Sequence, residues 1–376
     1  MDRRAFLLGA TMTGMGSAVL PWGEWFSGSA SHSQLGLVHG IIPVVGDGKW
    51  IWTKPPETER GYLEPRSFQL DIGIELEGTG NSADVIATTP VPVEHPEQKV
   101  EKVDIETDGC EATIRELAPG AGQLLLNAPV MSPGQKVRAI AHYTLTLFKQ
   151  YHGYERDQFP ATQNYPGDVK KGALKDSPGI QTSLSMVKKL ADEIAEGKTH
   201  PWDKAKAFAD WIPHNIRPQI GRYTSVETAI KKKVGDCEEM SALFVAFCRS
   251  VGIPARLVWV PHHNWSEFYM TDTGGKGHWI PAHTACYHWF GWTGAHELVI
   301  QKGDRVKVPE QNKNFRLLED WLHGTGRRPK AKFIAELTPI AGKESEGVGP
   351  GARKKDPVTG EWKLQGTYTI NRDVRQ

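Results

Sequence analysis

The sequence predicts an α+β protein, with an N-terminal β-sandwich followed by an α+β domain. Three patterns carry that expectation. Phe68, Leu70, Ile72, Ile74 and Leu76 alternate with other residues, and shorter strand-like runs follow at regular intervals as far as Phe148. Helical spacing starts only after Gly179, with Leu184, Val187, Leu190, Ala191 and Ile194 on one stripe. After Gly252 the chain returns to strand patterns, so strands and helices come in separate runs.

Length and composition bound the rest. At 376 residues there is room for two or three domains, and a hydrophobic content of 39% supports a packed core. A formal net charge of +1 gives no electrostatic footprint for nucleic acid. Arg3 and Arg4 precede Phe6 and Leu7, and no charge follows as far as Leu20. This matches the twin-arginine export pattern, and Gly28-Ser29-Ala30 offers small residues for cleavage. Residues 1–30 therefore read as a signal peptide and the protein as periplasmic or extracellular. An uncleaved anchor is the alternative, although the apolar run is short of the ~20 residues a span needs. No later segment has the pattern of a membrane span.

Residues 31–65 are rich in Gly, Pro and Trp without periodicity, an irregular lead-in. Residues 66–150 carry the expected sandwich, with strands around 68–76, 84–88, 100–106, 112–117, 123–128 and 137–148. Prolines at 160, 166 and 178 mark 151–180 as a linker. The α+β domain is expected over 181–341. Its first helix stops at Gly197, and its second runs from Thr199 through Trp211 with Pro201 in the first turn. A third opens at Thr224, where Thr224 and Glu227 fit a capping box. Lys231–Lys233 read as a solvated helix end. Beyond the site, a helix is expected over Phe315–His323 and a strand over Ala331–Leu337. Residues 342–376, charged and glycine-rich, read as a mobile tail.

The chemistry gathers around 235–252. Gly235 permits a tight turn, Asp236 is an N-cap, and helix formers continue until Gly252. Met240, Leu243, Phe244, Phe247 and Val251 form the buried face, and Cys237 lies at its start. A thiol there meets the positive end of the helix dipole, which favours thiolate. The competing reading of Cys237 is a small buried hydrophobe. The four cysteines, Cys110, Cys237, Cys248 and Cys286, include no Cys-x-x-Cys pair. Cys237 and Cys248 are about 16 Å apart along one helix, too far to bridge. Cys248 reads as core, and pairing of Cys110 with Cys286 stays open.

After an apolar strand from Ile253 come two more, joined by a turn at Gly274-Gly275. Period two puts His263, Trp265, Glu267 and Tyr269 on one face of the first. It puts Trp279, Pro281 and His283 on one face of the second, so His263 and His283 come close. A thiol at a helix start, an imidazole on a neighbouring strand and a third polar group are what nucleophilic thiol catalysis needs. Backbone N–H groups at the helix start can serve an oxyanion. His278, His288 and His296 read as satisfied or exposed, Trp265 and Glu267 as structural neighbours, with Trp265 also a candidate cleft wall. The aromatic run Tyr287–Trp292 reads as core before cleft lining.

Three ordered motifs, Gly-Asp-Cys-Glu-Glu at 235–239, Val-Gly-Ile-Pro-Ala-Arg at 251–256 and His263-x-Trp265-x-Glu267, resemble the transglutaminase-like superfamily of papain-related thiol enzymes. The likeness runs from about Gln181 to Thr284, and the β-rich region before it resembles the domain often fused to bacterial members. It implies a transglutaminase-like (papain-like) α+β domain with Cys237 as nucleophile and His263 as base. Members usually show Trp-x-Pro-x-Asp, and here Trp279-Ile-Pro-Ala-His283 puts His283 in the third place. Neutral imidazole can accept the His263 N–H, as neutral Asn does in papain-like enzymes, without offering charge. The implied function is an exported thiol enzyme on amide bonds, by hydrolysis or acyl transfer, with an envelope protein or peptide as substrate and no cofactor. The alternatives are a degenerate binding or scaffold protein on the same fold, and a Zn²⁺ or copper site on Cys237, His263 and His283. Oligomeric state has no signature in the sequence.

Overall fold

Period-two alternation builds the first half of the chain. The computed structural model describes residues 52, 54–219, 222–261, 263–285 and 289–344, with side chains to residue 340, and the backbone of 353–355 and 362–364. The expected signal peptide, most of the lead-in, His262, Cys286, Tyr287 and His288 lie outside the described residues. β1 (Glu59–Glu77), β2 (Ser82–Val91), β3 (Gln98–Asp108), β4 (Glu111–Ala118), β5 (Ala121–Met131) and β6 (Lys136–Tyr151) pair antiparallel. The alternating face of β1 is fully buried against Val85 and Ala87 of β2 and Leu124 and Leu126 of β5. β1 starts earlier than the period from Arg66 predicts. Glu64 has φ 51°, and the pairing with β6 slips between Leu63 and Arg66. That bulge breaks the alternation and hides the first part of the strand.

The helical part begins inside the stretch expected as a linker. α1 (Gly167–Ala173) lies there, and Phe159 and Ile180 are buried in the helical core. α2 (Ser185–Ile194) and α3 (Pro201–Asn215) follow, then β7 (Arg217–Pro218), α4 (Val226–Lys232), β8 (Val234–Gly235), parallel to β7, and α5 (Cys237–Ser250). α4 is capped by Ser225, whose Oγ accepts from Thr228 N at 3.1 Å, and not by Thr224. Glu239 claims Thr224 instead, accepting from its amide at 2.7 Å. A tertiary partner has displaced the local box.

The remaining strands are β9 (Ala255–Val260), β10 (His263–Thr271), β11 (Gly277–Ala282), β12 (Trp292–Thr293), β13 (Gln301–Lys302), β14 (Val306–Val308), β15 (Lys313–Phe315), β16 (Trp321–Gly326), β17 (Lys330–Glu344), β18 (Arg353–Lys355) and β19 (Trp362–Leu364). The helix expected over Phe315–His323 does not form. Phe315 pairs with Val306, and Trp321 and His323 pair with Thr88 and Ile86 on β2, so available strand partners override the periodicity. The expected tail also contributes: β18 pairs with the early residues Glu59 and Arg60 of β1, and β19 pairs with β18.

Two sheets result. One runs β12-β6-β1-β18-β19, with β17 on β1 and β3 on β6; the other runs β11-β10-β9-β13-β5-β2-β16, with β4 on β5. Short β13 matters most here. Gln301 pairs with Trp259 of β9 and with Ala121 of β5, so the strands carrying the candidate histidines continue the sheet of the N-terminal half. Buried charges lock this seam. The Lys302 ammonium pairs with Glu97 and, at 2.8 Å, with Glu267, while Arg256 meets Glu267 at 2.6 Å. Burial works against the Glu267 carboxylate, but Lys302 and Arg256 outweigh it and hold its pKa below the ordinary value. Glu267 is therefore structural.

Lys302→Met should strand the buried Glu97 carboxylate and leave Glu267 with Arg256 alone. The expected loss is about 3–5 kcal/mol of unfolding free energy by chemical denaturation. A loss no larger than that of a surface lysine would show that the network does not hold the seam.

Candidate active site

The geometry starts from how α5 lies on β10. Ser241 Oγ donates to Asn264 O at 3.4 Å, Ser266 Oγ donates to Ser241 O at 3.2 Å, and further on the Phe244 and Phe268 rings meet at 6.1 Å. Contacts advance together along both elements, so helix and strand run the same way. Cys237 and His263, the first residues of each, stand at matching ends. β11 returns antiparallel, pairing Ala282 with Ser266, and so delivers His283 beside Trp265. The Trp265 ring stacks on His283 at 4.7 Å, the edge of Trp289 meets it at 5.1 Å, and the His263 and His283 rings are 6.2 Å apart. Trp265 is 1% exposed, so it supports His283 from below and does not wall a cleft.

The helix start is shaped by its acids. A Cβ on Gly235 would sit 2.5 Å from Glu239 Cβ, so only glycine lets the turn close. Asp236 caps the helix: its carboxylate accepts from the amides of Glu238, at 2.9 Å, and Glu239, while Glu239 accepts from Asp236 N at 3.0 Å. Those two amides are committed to the cap. The charge balance also differs from a bare dipole. Arg316 neutralises Glu238 at 2.6 Å. Glu239 is pushed up to about 7, first by burial and then by Asp236 beside it. Cys237, which follows the capping Asp236, is half-buried.

Both imidazoles are neutral at pH 7. Burial lowers His263 to about 4 against the pull of Asp236, and its partly open surface does not alter that direction. Burial, then the neighbouring His263, holds His283 well below its ordinary value. The His283 ring is tied through Nε2 to Thr293 Oγ1 at 3.2 Å.

Glu297 was not singled out by its sequence context, a lone acid ahead of Leu298-Val299-Ile300. The Gln98 side chain clamps the next turn of chain, donating to Val299 O at 2.9 Å and accepting from Val299 N at 2.8 Å. This brings Glu297 to the histidines: ligand atoms of His263, His283 and Glu297 lie within 4.8 Å of one another. Glu297 is 4% exposed, and neither carboxylate oxygen has a hydrogen-bond partner. Burial pushes its pKa up to about 8, and the Trp265 indole N–H offsets part of the rise without completing a hydrogen bond. The metal set expected from Cys237, His263 and His283 is thus not the one assembled, because the third ligand atom beside the imidazoles is a carboxylate oxygen.

The other candidates fall outside this cluster. Cys248 is core, and Cys110 Sγ donates to Arg138 O at 3.1 Å. His278 pairs with Asp272 at 2.7 Å, and His296 meets Glu64 O. Trp289 touches the site through His283, whereas Phe290 packs on Phe268 in the helical core.

Cys237 opens α5 and His263 opens β10, and the shared direction of the two elements sets both at matching ends. Residues 188–284 match the model of the transglutaminase-like superfamily, about a quarter of the chain. An uncharacterized protein of Haemophilus influenzae is 30% identical over 103 residues, 26% of this chain and 27% of that protein, so the chain covers about a quarter of that relative's length. Among solved structures, a candidate cysteine protease from Cytophaga hutchinsonii is 16% identical with a TM-score of 0.47, covering 73% of this chain and 98% of that one. A candidate protease from Parabacteroides distasonis is 14% identical with a TM-score of 0.24, covering 59% of this chain and 47% of that one. Neither likeness in shape is close enough to bear on function. Among the described residues no helix is long and apolar enough to cross a membrane.

The Asp236–Glu239 cap carries a pH signature. The folded pKa of Glu239, about 7, lies above its ordinary value of 4.5, so the native state holds the proton more tightly. Its contribution is present below about pH 4.5 and is lost as pH rises through 7. Between pH 5 and 7.5 the urea midpoint of the wild type should fall relative to Glu239→Gln, which does not titrate. Parallel pH curves would refute the shared proton.

Proposed function

We propose that the protein is an exported thiol enzyme acting on amide bonds, with Cys237 as nucleophile, His263 as general base and His283 as the group that orients it. The shared direction of α5 and β10, which sets Cys237 and His263 at matching ends, carries this reading. With His263 neutral, the resting pair is thiol and imidazole. The imidazole then takes the Cys237 proton as sulfur attacks the carbonyl carbon. The resulting imidazolium returns that proton to the leaving amine, and the acyl group stays on sulfur as a thioester. Water or a second amine, deprotonated by His263, releases it as acid or as new amide. His283 holds its place through Thr293 and the Trp265 stack. The substrate class is protein or peptide of the cell envelope, reached by twin-arginine export.

Cys237→Ala should lower turnover on peptide and amine-acceptor libraries by at least about 10³-fold while leaving the melting temperature unchanged. In the wild type, iodoacetamide should label Cys237 faster than a model thiol, and His263→Ala should remove the excess. Equal rates would overturn the nucleophile. For export, changing Arg3 and Arg4 together to lysine should retain the protein in the cytoplasm; unchanged fractionation would reject the twin-arginine route.

A non-catalytic binding module is the second reading, favoured by the acids around Cys237 and the imidazole in place of an acid at His283. It requires that Cys237→Ala leave the cellular role intact.

A further inference from the structure

We propose that His263, His283 and Glu297 form a site for a divalent first-row transition ion, with Zn²⁺ as the leading occupant. The three come from the start of β10, the end of β11 and the segment entering β13. Their ligand atoms lie within 4.8 Å of one another. Three ligands around one ion, with bonds of about 2.0–2.2 Å, sit roughly 3–3.6 Å apart. Side-chain rotation, chiefly of Glu297, supplies the remaining closure.

Glu297 is the observation that points to a cation. It is 4% exposed, and neither oxygen has a hydrogen-bond partner. A buried carboxylate without partners is unfavourable unless a counter-charge meets it. No described lysine or arginine does so: Lys302 is engaged by Glu97 and Glu267, and Arg256 by Glu267. Two imidazoles and one carboxylate, with further positions open to water, are a donor set suited to Zn²⁺ or another first-row ion.

The surroundings are those a ligand shell requires. Thr293 Oγ1 holds His283 Nε2 at 3.2 Å, which leaves Nδ1 as the ligand nitrogen. Trp265 and Trp289 hold the ring from its face and its edge. Val258, Val260 and Val299 close around Trp265 as a dry wall. The Gln98 clamp fixes the chain two residues beyond Glu297.

This inference goes beyond the thiol reading and does not depend on it, since Cys237 is not a ligand. The two meet at His263. An ion on its nitrogen removes the base, so the loaded protein would be inactive as a thiol enzyme.

The test uses the full chain, purified without chelator or metal-affinity tag, in wild type and in Cys237→Ser, which removes the competing sulfur. Titration with Zn²⁺ should give one ion per chain in both, and Glu297→Gln should weaken binding by at least about 100-fold. Gln keeps the shape of a neutral carboxyl, and an unchanged melting temperature confirms that the variant folds; His283→Ala gives a second, independent loss. Co²⁺ should show ligand-field bands without a sulfur charge-transfer band. Three results would overturn the site: no stoichiometric Zn²⁺, binding indifferent to Glu297→Gln, or binding lost in Cys237→Ser. If the thiol reading alone fails, Cys237→Ala loses no turnover while Zn²⁺ binding persists.

Discussion

The close seating of α5 on β10 sets the rest of the site. Ser241 and Ser266 make it possible, because two small residues exchange hydrogen bonds with backbone carbonyls where larger side chains would lift the helix. Because the two elements run in one direction, a helix N-terminus and a strand N-terminus lie at matching ends. β11, tied antiparallel to β10, adds the second imidazole at the same end.

That arrangement leans on the N-terminal half of the chain. β13 is only two residues long, yet it joins β9 to β5 and makes one sheet of strands far apart in sequence. The buried Lys302–Glu97–Glu267–Arg256 network crosses the same seam. Gln98 then clamps Val299, which carries Glu297 to the histidines. The β-rich half is therefore part of how the site is built.

Desolvation outweighs the other electrostatic effects at the site. It lowers His263 despite Asp236, lowers His283 as well, and raises Glu239 and Glu297. The result is a group of polar side chains held mostly neutral in a dry enclosure.

Local signals survive where neighbours agree with them. Alternation placed β1 through β6, helical spacing placed α2 and α5, and Gly235-Asp236 announced the cap of α5, because burial, backbone geometry and capping all act within a few residues. Period two also placed His263 and His283 within reach, since a short turn fixes the pairing of β10 and β11. What the chain alone concealed depends on contacts distant in sequence. Phe315–His323 became strand because β14 and β2 offered partners, Thr224 lost its box to Glu239, and the bulge at Glu64 masked the start of β1. Glu297 is the clearest case. It has no motif and no period, and becomes chemically notable only when Gln98 and β13 bury it beside two imidazoles, an outcome of long-range packing.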